Sequence, residues 1–128
     1  MHDGELMHFE VPAVDSERAR AFWGDLFGWT FSRWSGPMEY WRINTPGGPD
    51  GGLFPTWRPT GSLVPYFKVS DIEAATVRVA ELGGGVFDAK YPLPKIGWIA
   101  HCADSEGNHF SLFQLDPTAP APPEPAAP

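Results

Sequence analysis

The chain has few of the features that mark secreted, membrane-bound or nucleic-acid-binding proteins. A single cysteine, Cys102, excludes an internal disulfide bond and fits a reducing compartment. No run of about 18 apolar residues occurs, so we expect no membrane-spanning helix and no membrane partner. The first residues lack the pattern of a signal peptide, so we expect a cytoplasmic protein. The net charge of -7, without a local Lys/Arg cluster, argues against a nucleic-acid partner.

Aromatic residues and prolines are plentiful, and they point to different parts of the chain. Six Trp and nine Phe, in a chain that is 42% hydrophobic, can fill a packed core. A chain of 128 residues predicts one domain, which we assign to residues 1–116. Residues 117–128 are rich in proline and alanine and offer nothing for a core, so we expect an extended, disordered tail. That tail is either inert or a partner-binding peptide.

The two halves of the sequence resemble each other at an offset of 56 positions. Two copies are too few for a solenoid, so they predict two tandem modules, about residues 5–58 and 62–115. Each module has the order strand, helix and three strands, so the fold class is α+β with a helix covering one face of each sheet. The matching residues include Asp15 and Asp71, Glu17 and Glu73, Leu26 and Leu82, Gly28 and Gly84, and Phe54 and Phe110.

Capping residues and apolar spacing predict the individual elements. Asp15 or Ser16 offers an N-cap for a helix over about residues 16–27, which Gly28 ends. Asp71 is the equivalent N-cap in the second module. The later elements of that module are predicted as a strand over 86–90, a loop over 92–97, and strands over 98–102 and 109–114.

The first predicted strand carries the candidate catalytic residues. Alternation places Phe9 and Val11 on one face and His8 and Glu10 on the other. Side chains two apart on one strand start about 7 Å apart, which is near enough to interact but too far for a hydrogen bond without side-chain reach. The pair is either a metal ligand or general base beside its carboxylate, or a solvated strand pair without a function.

Aromatic side chains with a few polar groups predict a pocket for a flat or apolar small molecule, and plain core packing is the alternative. His109, Ser111 and Phe113 share one strand face. The sequence does not fix which face of its strand His101 occupies. A non-standard metal site of His8, Glu10 and His109 has the right ligand types. The candidate ligand-binding residues are Tyr66, Lys68, Trp57, Trp98, Ser111 and Phe113.

Several motifs together resemble the vicinal oxygen chelate superfamily, which comprises glyoxalases, bleomycin-resistance proteins and extradiol dioxygenases. The resemblance covers nearly all of residues 5–115 and is closest to single-chain glyoxalase-related proteins. It implies two βαβββ modules whose sheets curl around a central cavity, with the helices outside. The motifs are His8-Phe9-Glu10-Val11-Pro12, Ala21-Phe22-Trp23, Leu26-Phe27-Gly28-Trp29, Gly51-Gly52-Leu53-Phe54-Pro55, Val64-Pro65-Tyr66-Phe67, Gly97-Trp98 and Asp104-Ser105-Glu106-Gly107-Asn108.

The metal enzymes of this superfamily hold one divalent ion with up to four side chains from the first and last strands of each module. Carried over, those positions are His8, Pro55, Val64 and Ser111, of which only His8 is an ordinary ligand. A catalytic metal usually has about three protein ligands and one open position. The cofactor is therefore unknown, and a divalent metal is not supported by the usual ligand set.

The resemblance leaves two hypotheses for function. The first is a small-molecule-binding protein that retains lyase, isomerase or oxygenase activity at a cavity floored by His8 and Glu10. The second is a non-catalytic protein that sequesters a small, antibiotic-like molecule without a metal. The resemblance implies a homodimer for the second hypothesis, since the superfamily's sequestering members are usually dimers.

Overall fold

The computed structural model describes residues 3–56 and 62–121, which contain two helices and nine strands. The chain divides into two compact units. We call Met7–Pro65 the amino-terminal unit, and Met1–Leu6 together with Tyr66–Pro128 the carboxy-terminal unit. The predicted α+β class is confirmed, while the domain boundary at residue 116 stays a prediction.

The amino-terminal unit consists of one helix and a four-stranded arrangement. Its strand order is β2-β3-β4-β1, in which β1 and β4 are parallel and the other pairs are antiparallel. The elements are β1 (Glu5–Ala13), α1 (Ser16–Phe27), β2 (Thr30–Arg33), β3 (Trp41–Asn44) and β4 (Gly51–Pro55).

The carboxy-terminal unit has the same plan with one strand more. Strands β5 and β9 are parallel, β9 and β8 are antiparallel, and both β6 and β7 pair with β8. The elements are β5 (Val64–Lys68), α2 (Ile72–Glu81), β6 (Gly85–Val86), β7 (Tyr91–Leu93), β8 (Gly97–Ala103) and β9 (His109–Leu115).

The predicted strand over 86–90 and loop over 92–97 are wrong, because the strand beside β8 is interrupted. Phe87 N–H donates to the carbonyl of His101, but the N–H of His101 donates to the Asp88 carboxylate at 3.0 Å. A side chain therefore replaces the ladder carbonyl, and the chain bends before β7 resumes pairing. Pro92 fits into β7 because, among the described strands, β7 pairs with β8 alone and so leaves one edge without a ladder partner.

Both helices begin with the predicted aspartate caps, which lie 56 positions apart. Asp15 accepts from the N–H of Arg18 at 3.0 Å, and Asp71 accepts from the N–H of Ala74 at 3.1 Å. Each bond satisfies one of the N–H groups that a helix start leaves without an intrahelical partner. Helix α1 ends at the predicted place, because Gly28 takes a left-handed conformation with φ of 73°.

Each unit has its own core on the helix-facing side of its strands. In the amino-terminal unit Ile43 and Leu53 are fully buried, and Ala19 of α1 packs against their cluster. In the carboxy-terminal unit Ile72 of α2 and Cys102 of β8 are fully buried in one cluster. The opposite faces of the strands are therefore the ones that can carry polar groups.

The chain stays packed beyond residue 116, inside the segment predicted as a disordered tail. Ala119 is buried, and its carbonyl accepts from the N–H of Lys95 at 3.0 Å. Asp116 accepts from the Thr118 hydroxyl at 2.6 Å and from Trp98 Nε1 at 3.0 Å. Residues 122–128 of the predicted tail lie outside the described residues. Neither of the described helices has the length and apolar character needed to cross a bilayer.

Candidate functional site

The alternation of β1 separates a core face from a polar face. Phe9 and Val11 pack in the core of the amino-terminal unit, whereas His8 and Glu10 lie on the other face. His8 Nε2 lies 3.3 Å from Glu10 Oε2, so the two side chains close the gap that their spacing along the strand leaves. Their side chains are 26% and 17% exposed, so a small molecule can still reach them.

A third member of this cluster, Tyr40, was missed by sequence reasoning. Its hydroxyl donates to Glu10 Oε2 at 3.0 Å and lies 3.4 Å from His8 Nε2. Tyr40 directly precedes β3, and its carbonyl accepts from Trp34 N–H at 2.8 Å, which closes the hairpin behind it. We call His8, Glu10 and Tyr40 the amino-terminal cluster.

Gly52 makes room for the amino-terminal cluster. It pairs with Glu10 across β1 and β4, and a Cβ atom at residue 52 would collide with the Tyr40 hydroxyl and the Glu10 carboxylate. The neighbouring Gly51 is confined in the same way on the opposite face, where a Cβ would lie 2.7 Å from the Phe9 ring. The Gly-Gly pair therefore admits a side-chain cluster on one face and an aromatic ring on the other.

The amino-terminal cluster combines three kinds of group that can take part in proton transfer. Glu10 accepts a hydrogen bond from the Tyr40 hydroxyl, and its carboxylate is close enough to His8 Nε2 to favour the tautomer with the proton on that nitrogen. A carboxylate, an imidazole and a phenol within hydrogen-bond reach of one another are typical of general acid–base sites.

The carboxy-terminal unit brings together a second set of polar residues on its polar face. Tyr66, Ser111 and His101 are register partners across β5, β9 and β8. Ser111 is fully buried, and its hydroxyl lies 2.7 Å from His101 Nδ1. On the other side of the ring, the Tyr91 hydroxyl lies 2.9 Å from His101 Nε2. The predicted ligand-binding residues Lys68 and Phe113 are partners in the adjacent register row.

Two predicted site residues of the described part of the chain do not join this set. Trp98 packs against the core beside α2, with the Lys90 ammonium 4.3 Å from its ring centroid. The ring of His109 packs against Phe87, with centroids 4.9 Å apart. Trp57 lies outside the described residues. A metal set of His8, Glu10 and His109 stays a prediction.

The metal position implied by the superfamily does not fit the side chains present. Pro55 and Val64 carry no donor atom, and the neutral hydroxyl of Ser111 is engaged by His101. Over residues 3–56 and 62–121, no three His, Cys, Asp or Glu side chains are grouped as a metal ion requires. We therefore assign no chemical step to a metal.

An open apolar groove of about 420 Å³ lies beside α1, and it is separate from the amino-terminal cluster. Val11 and Ala13 of its lining belong to the core face of β1, opposite His8 and Glu10. Phe22 of α1 also lines the groove and is 59% exposed. The full lining is Val11, Pro12, Ala13, Val14, Asp15, Arg18, Ala19, Phe22, Trp23, Ser62 and Leu63.

A carboxylate beneath α1 ties the helix to β3. Glu39 accepts from the Ser16 hydroxyl at 2.5 Å and from Trp41 Nε1 at 2.9 Å, and the two bonds hold its pKa below the ordinary value. Arg20 stacks on the same Trp41 ring at 3.8 Å from its centroid.

Cys102 is fully buried, as expected for a small core residue. Burial, assisted by the charge of Asp88, raises the pKa of its thiol.

Residues 5–46 match a family model described as bleomycin resistance protein-like N-terminal. A glyoxylase-like domain-containing protein from Didymella fabae is 31% identical over 118 residues, which are 85% of this chain and 92% of that protein. The chain belongs to the glyoxalase and bleomycin-resistance family of the vicinal oxygen chelate superfamily. The resemblance drawn from the motifs is thus confirmed.

Solved structures agree with membership in the vicinal oxygen chelate superfamily. Methylmalonyl-CoA epimerase from Mycobacterium tuberculosis is similar with a TM-score of 0.65 and 16% identity, over 89% of both chains. A glyoxalase/bleomycin resistance protein/dioxygenase superfamily member from Vibrio splendidus 12B01 has a TM-score of 0.63 and 21% identity, over 87% of this chain and 98% of that one. At these identities the likeness shows the fold of the superfamily alone.

Proposed function

We propose that the protein binds a small molecule at the amino-terminal cluster and transfers a proton on it, as an isomerase or lyase of its family. The observation that carries this proposal is the contact of Glu10 with both His8 and Tyr40. Proton transfer needs an acid and a base in reach of the ligand, and the cluster supplies both without a metal.

A second candidate function is non-catalytic sequestration of an apolar small molecule. The groove beside α1 favours it, since a volume of about 420 Å³ suits a small ligand. Its lining is mostly apolar, with Asp15 and Arg18 as its charged residues. Such a protein would need neither His8 nor Glu10.

Deuterium exchange separates the two functions. Methylmalonyl-CoA is a suitable first probe, because it is the substrate of an enzyme with the same fold and has an acidic carbon-bound hydrogen. We expect the protein in D2O to accelerate exchange of that hydrogen, measured by NMR. Glu10→Gln and His8→Gln are expected to slow the protein-dependent rate about 100-fold, a typical contribution of a general base. Glu5→Gln, an exposed carboxylate of the same strand, is the matched control.

Two results contradict catalysis at the cluster. One is an exchange rate that Glu10→Gln and His8→Gln leave unchanged. The other is no exchange with this probe or with a panel of other carbon acids, together with binding of the apolar dye 8-anilinonaphthalene-1-sulfonate in the groove. Phe22→Ala should weaken that dye binding, whereas Phe27→Ala, on the same helix but outside the groove lining, should not.

The homodimer and the cytoplasmic location also stay proposals. Several apolar side chains of α1 are exposed, including Leu26 at 55% and Phe27 at 54%, which supports a covered face in a dimer. Light scattering measures that association directly. A single buried thiol at Cys102 fits a reducing compartment.

A further inference from the structure

The carboxy-terminal unit contains a chain of three side chains that the proposed function does not use. Ser111, with no exposed surface, contacts His101 Nδ1 at 2.7 Å, and His101 Nε2 contacts the Tyr91 hydroxyl at 2.9 Å. Tyr91 is 37% exposed. The contacts therefore run from a buried serine hydroxyl through an imidazole to the hydroxyl of an exposed tyrosine.

We propose that Tyr91 is a nucleophile that accepts the acyl group of small activated carboxylic esters, with His101 as its base and Ser111 as the residue that orients His101. A nucleophilic hydroxyl, a base within hydrogen-bond reach and a third group that orients the base are the parts of a nucleophilic triad. All three lie in the carboxy-terminal unit and share no residue with the amino-terminal cluster.

The interruption beside β8 is what creates this arrangement. The Asp88 bond to the backbone of His101 takes the place of a ladder bond between the pairing of β6 and that of β7 with β8. The bend starts β7 at Tyr91, opposite Ile99, and brings its hydroxyl back to the ring of His101 two residues further along β8. The ring of Tyr66 lies nearly perpendicular to the ring of His101, with a centroid distance of 6.4 Å.

The tautomer of His101 decides the direction of proton flow. In the tautomer that we propose, Ser111 accepts from Nδ1–H, which leaves the lone pair of Nε2 for the Tyr91 proton. In the reaction, a bond forms between Tyr91 Oη and the acyl carbon, and the bond from that carbon to the leaving alcohol oxygen breaks. The Tyr91 proton passes to His101 Nε2 and then to the solvent or the departing alkoxide. No oxidant, reductant or metal enters the step.

The surface position of Tyr91 selects the ligand class. Tyr91 is an exposed residue, while Ser111 is fully buried, so the proposed acceptor of the acyl group is Tyr91 and not the serine. A phenol next to a neutral imidazole is a weaker nucleophile than a thiolate, so the ester needs a good leaving group. Aryl esters of short carboxylic acids meet both conditions.

The test uses p-nitrophenyl acetate and the full chain. We expect a burst of p-nitrophenolate that approaches one equivalent, and an acetyl group on the peptide that contains Tyr91, found by mass spectrometry. Tyr91→Phe should abolish the burst. This variant retains all four histidines, so it also shows whether an imidazole alone causes the release of p-nitrophenolate. His101→Gln should slow the burst at least about tenfold, the low end of what a general base contributes.

Ser111 is a positioning residue, and its test needs a readout beyond rate. Ser111→Ala should slow the burst and remove the preference for the Nδ1–H tautomer of His101, which 15N NMR of the imidazole reports. A burst of equal size and rate in Tyr91→Phe, or an acetyl group on any other residue of the unmodified protein, would falsify the proposal. Peptide mapping needs no variant, so the outcome does not depend on how well Tyr91→Phe folds.

Discussion

The two units place a histidine, a tyrosine and one further polar side chain on the strand face away from their helix, yet the third side chain differs between them. In the amino-terminal unit the third group is the carboxylate of Glu10, which contacts both partners. In the carboxy-terminal unit it is the buried hydroxyl of Ser111, which contacts the histidine. One strand arrangement can therefore carry a carboxylate between a histidine and a tyrosine in one unit, and a histidine between a serine and a tyrosine in the other.

The largest expected effect is a loss of stability that affects the amino-terminal cluster alone. In Gly52→Ala the new methyl group needs the space of the Tyr40 hydroxyl and the Glu10 carboxylate, so the backbone or both side chains must move. We expect the free energy of unfolding to fall by about 3 kcal/mol, the upper range for overpacking. Urea denaturation measures it. Gly85→Ala, where a Cβ meets no atom within 4 Å, is the control in the other unit.

The two tyrosines test whether a hydrogen bond to a carboxylate stabilises the protein more than a hydrogen bond to an imidazole. Tyr40 donates to a carboxylate, so Tyr40→Phe should cost about 2 kcal/mol of unfolding free energy, as for hydrogen bonds to charged groups. Tyr91 bonds to an imidazole, so Tyr91→Phe should cost about 1 kcal/mol, as for neutral pairs. Equal losses in urea denaturation would mean that the charge of Glu10 adds nothing to its cluster.

The helix caps test where the units are alike. Asp15→Ala and Asp71→Ala each remove one bond to a helix N–H, and each should cost about 1 kcal/mol. Asp25→Ala, an exposed position within α1, should change the unfolding free energy much less. Thermal unfolding of the three variants gives the comparison, and unequal cap losses would show that the units differ in their helices as well.

The smallest effect is the pH dependence of stability. Hydrogen bonds hold the pKa of Glu39 below its ordinary value of 4.5, and those of Asp104 and Asp116 below 3.8. A carboxyl with a depressed folded-state pKa stabilises the fold above its unfolded pKa, and the stabilisation is lost as pH falls through the folded value. We expect the unfolding free energy to fall below about pH 4.5.

Variants show how much each unit contributes to this loss of stability at low pH, which we call the acid limb. Glu39→Gln should flatten its upper part, and Asp104→Asn its lower part, in unfolding measured as a function of pH. Asp104 is held by Asn108, whose side chain donates at 2.9 Å, so its contribution belongs to the turn before β9. An acid limb unchanged in both variants would contradict the assignment.

The sequence predicted those features of the fold and site that depend on residues close together in the chain. The polar face of β1 follows from alternation, so His8 and Glu10 were identified together. The caps at Asp15 and Asp71 follow from side chains that bond three residues ahead. The face of Trp98 could not be fixed from the sequence, because a glycine-flanked strand of uncertain bounds gives alternation no fixed origin.

The rest of the two clusters depends on contacts between distant residues. Tyr40 meets His8 across 32 positions, and nothing local distinguishes it from the neighbouring aromatic residues of its hairpin. Tyr91 reaches His101 because a side chain breaks the ladder at Asp88, an event without a sequence signature. The clearest available signal was Gly51-Gly52, which marks a strand whose neighbours need its side-chain space.

The buried thiol of Cys102 gives the protein a built-in reporter of its own motion. Thiol reagents attack the thiolate, and burial both shields the sulfur and raises its pKa. Because the chain has one cysteine, every labelling event reports an opening of the strand β8 that carries His101. The rate of labelling under native conditions therefore measures how often the carboxy-terminal unit opens locally, and no probe has to be engineered into it.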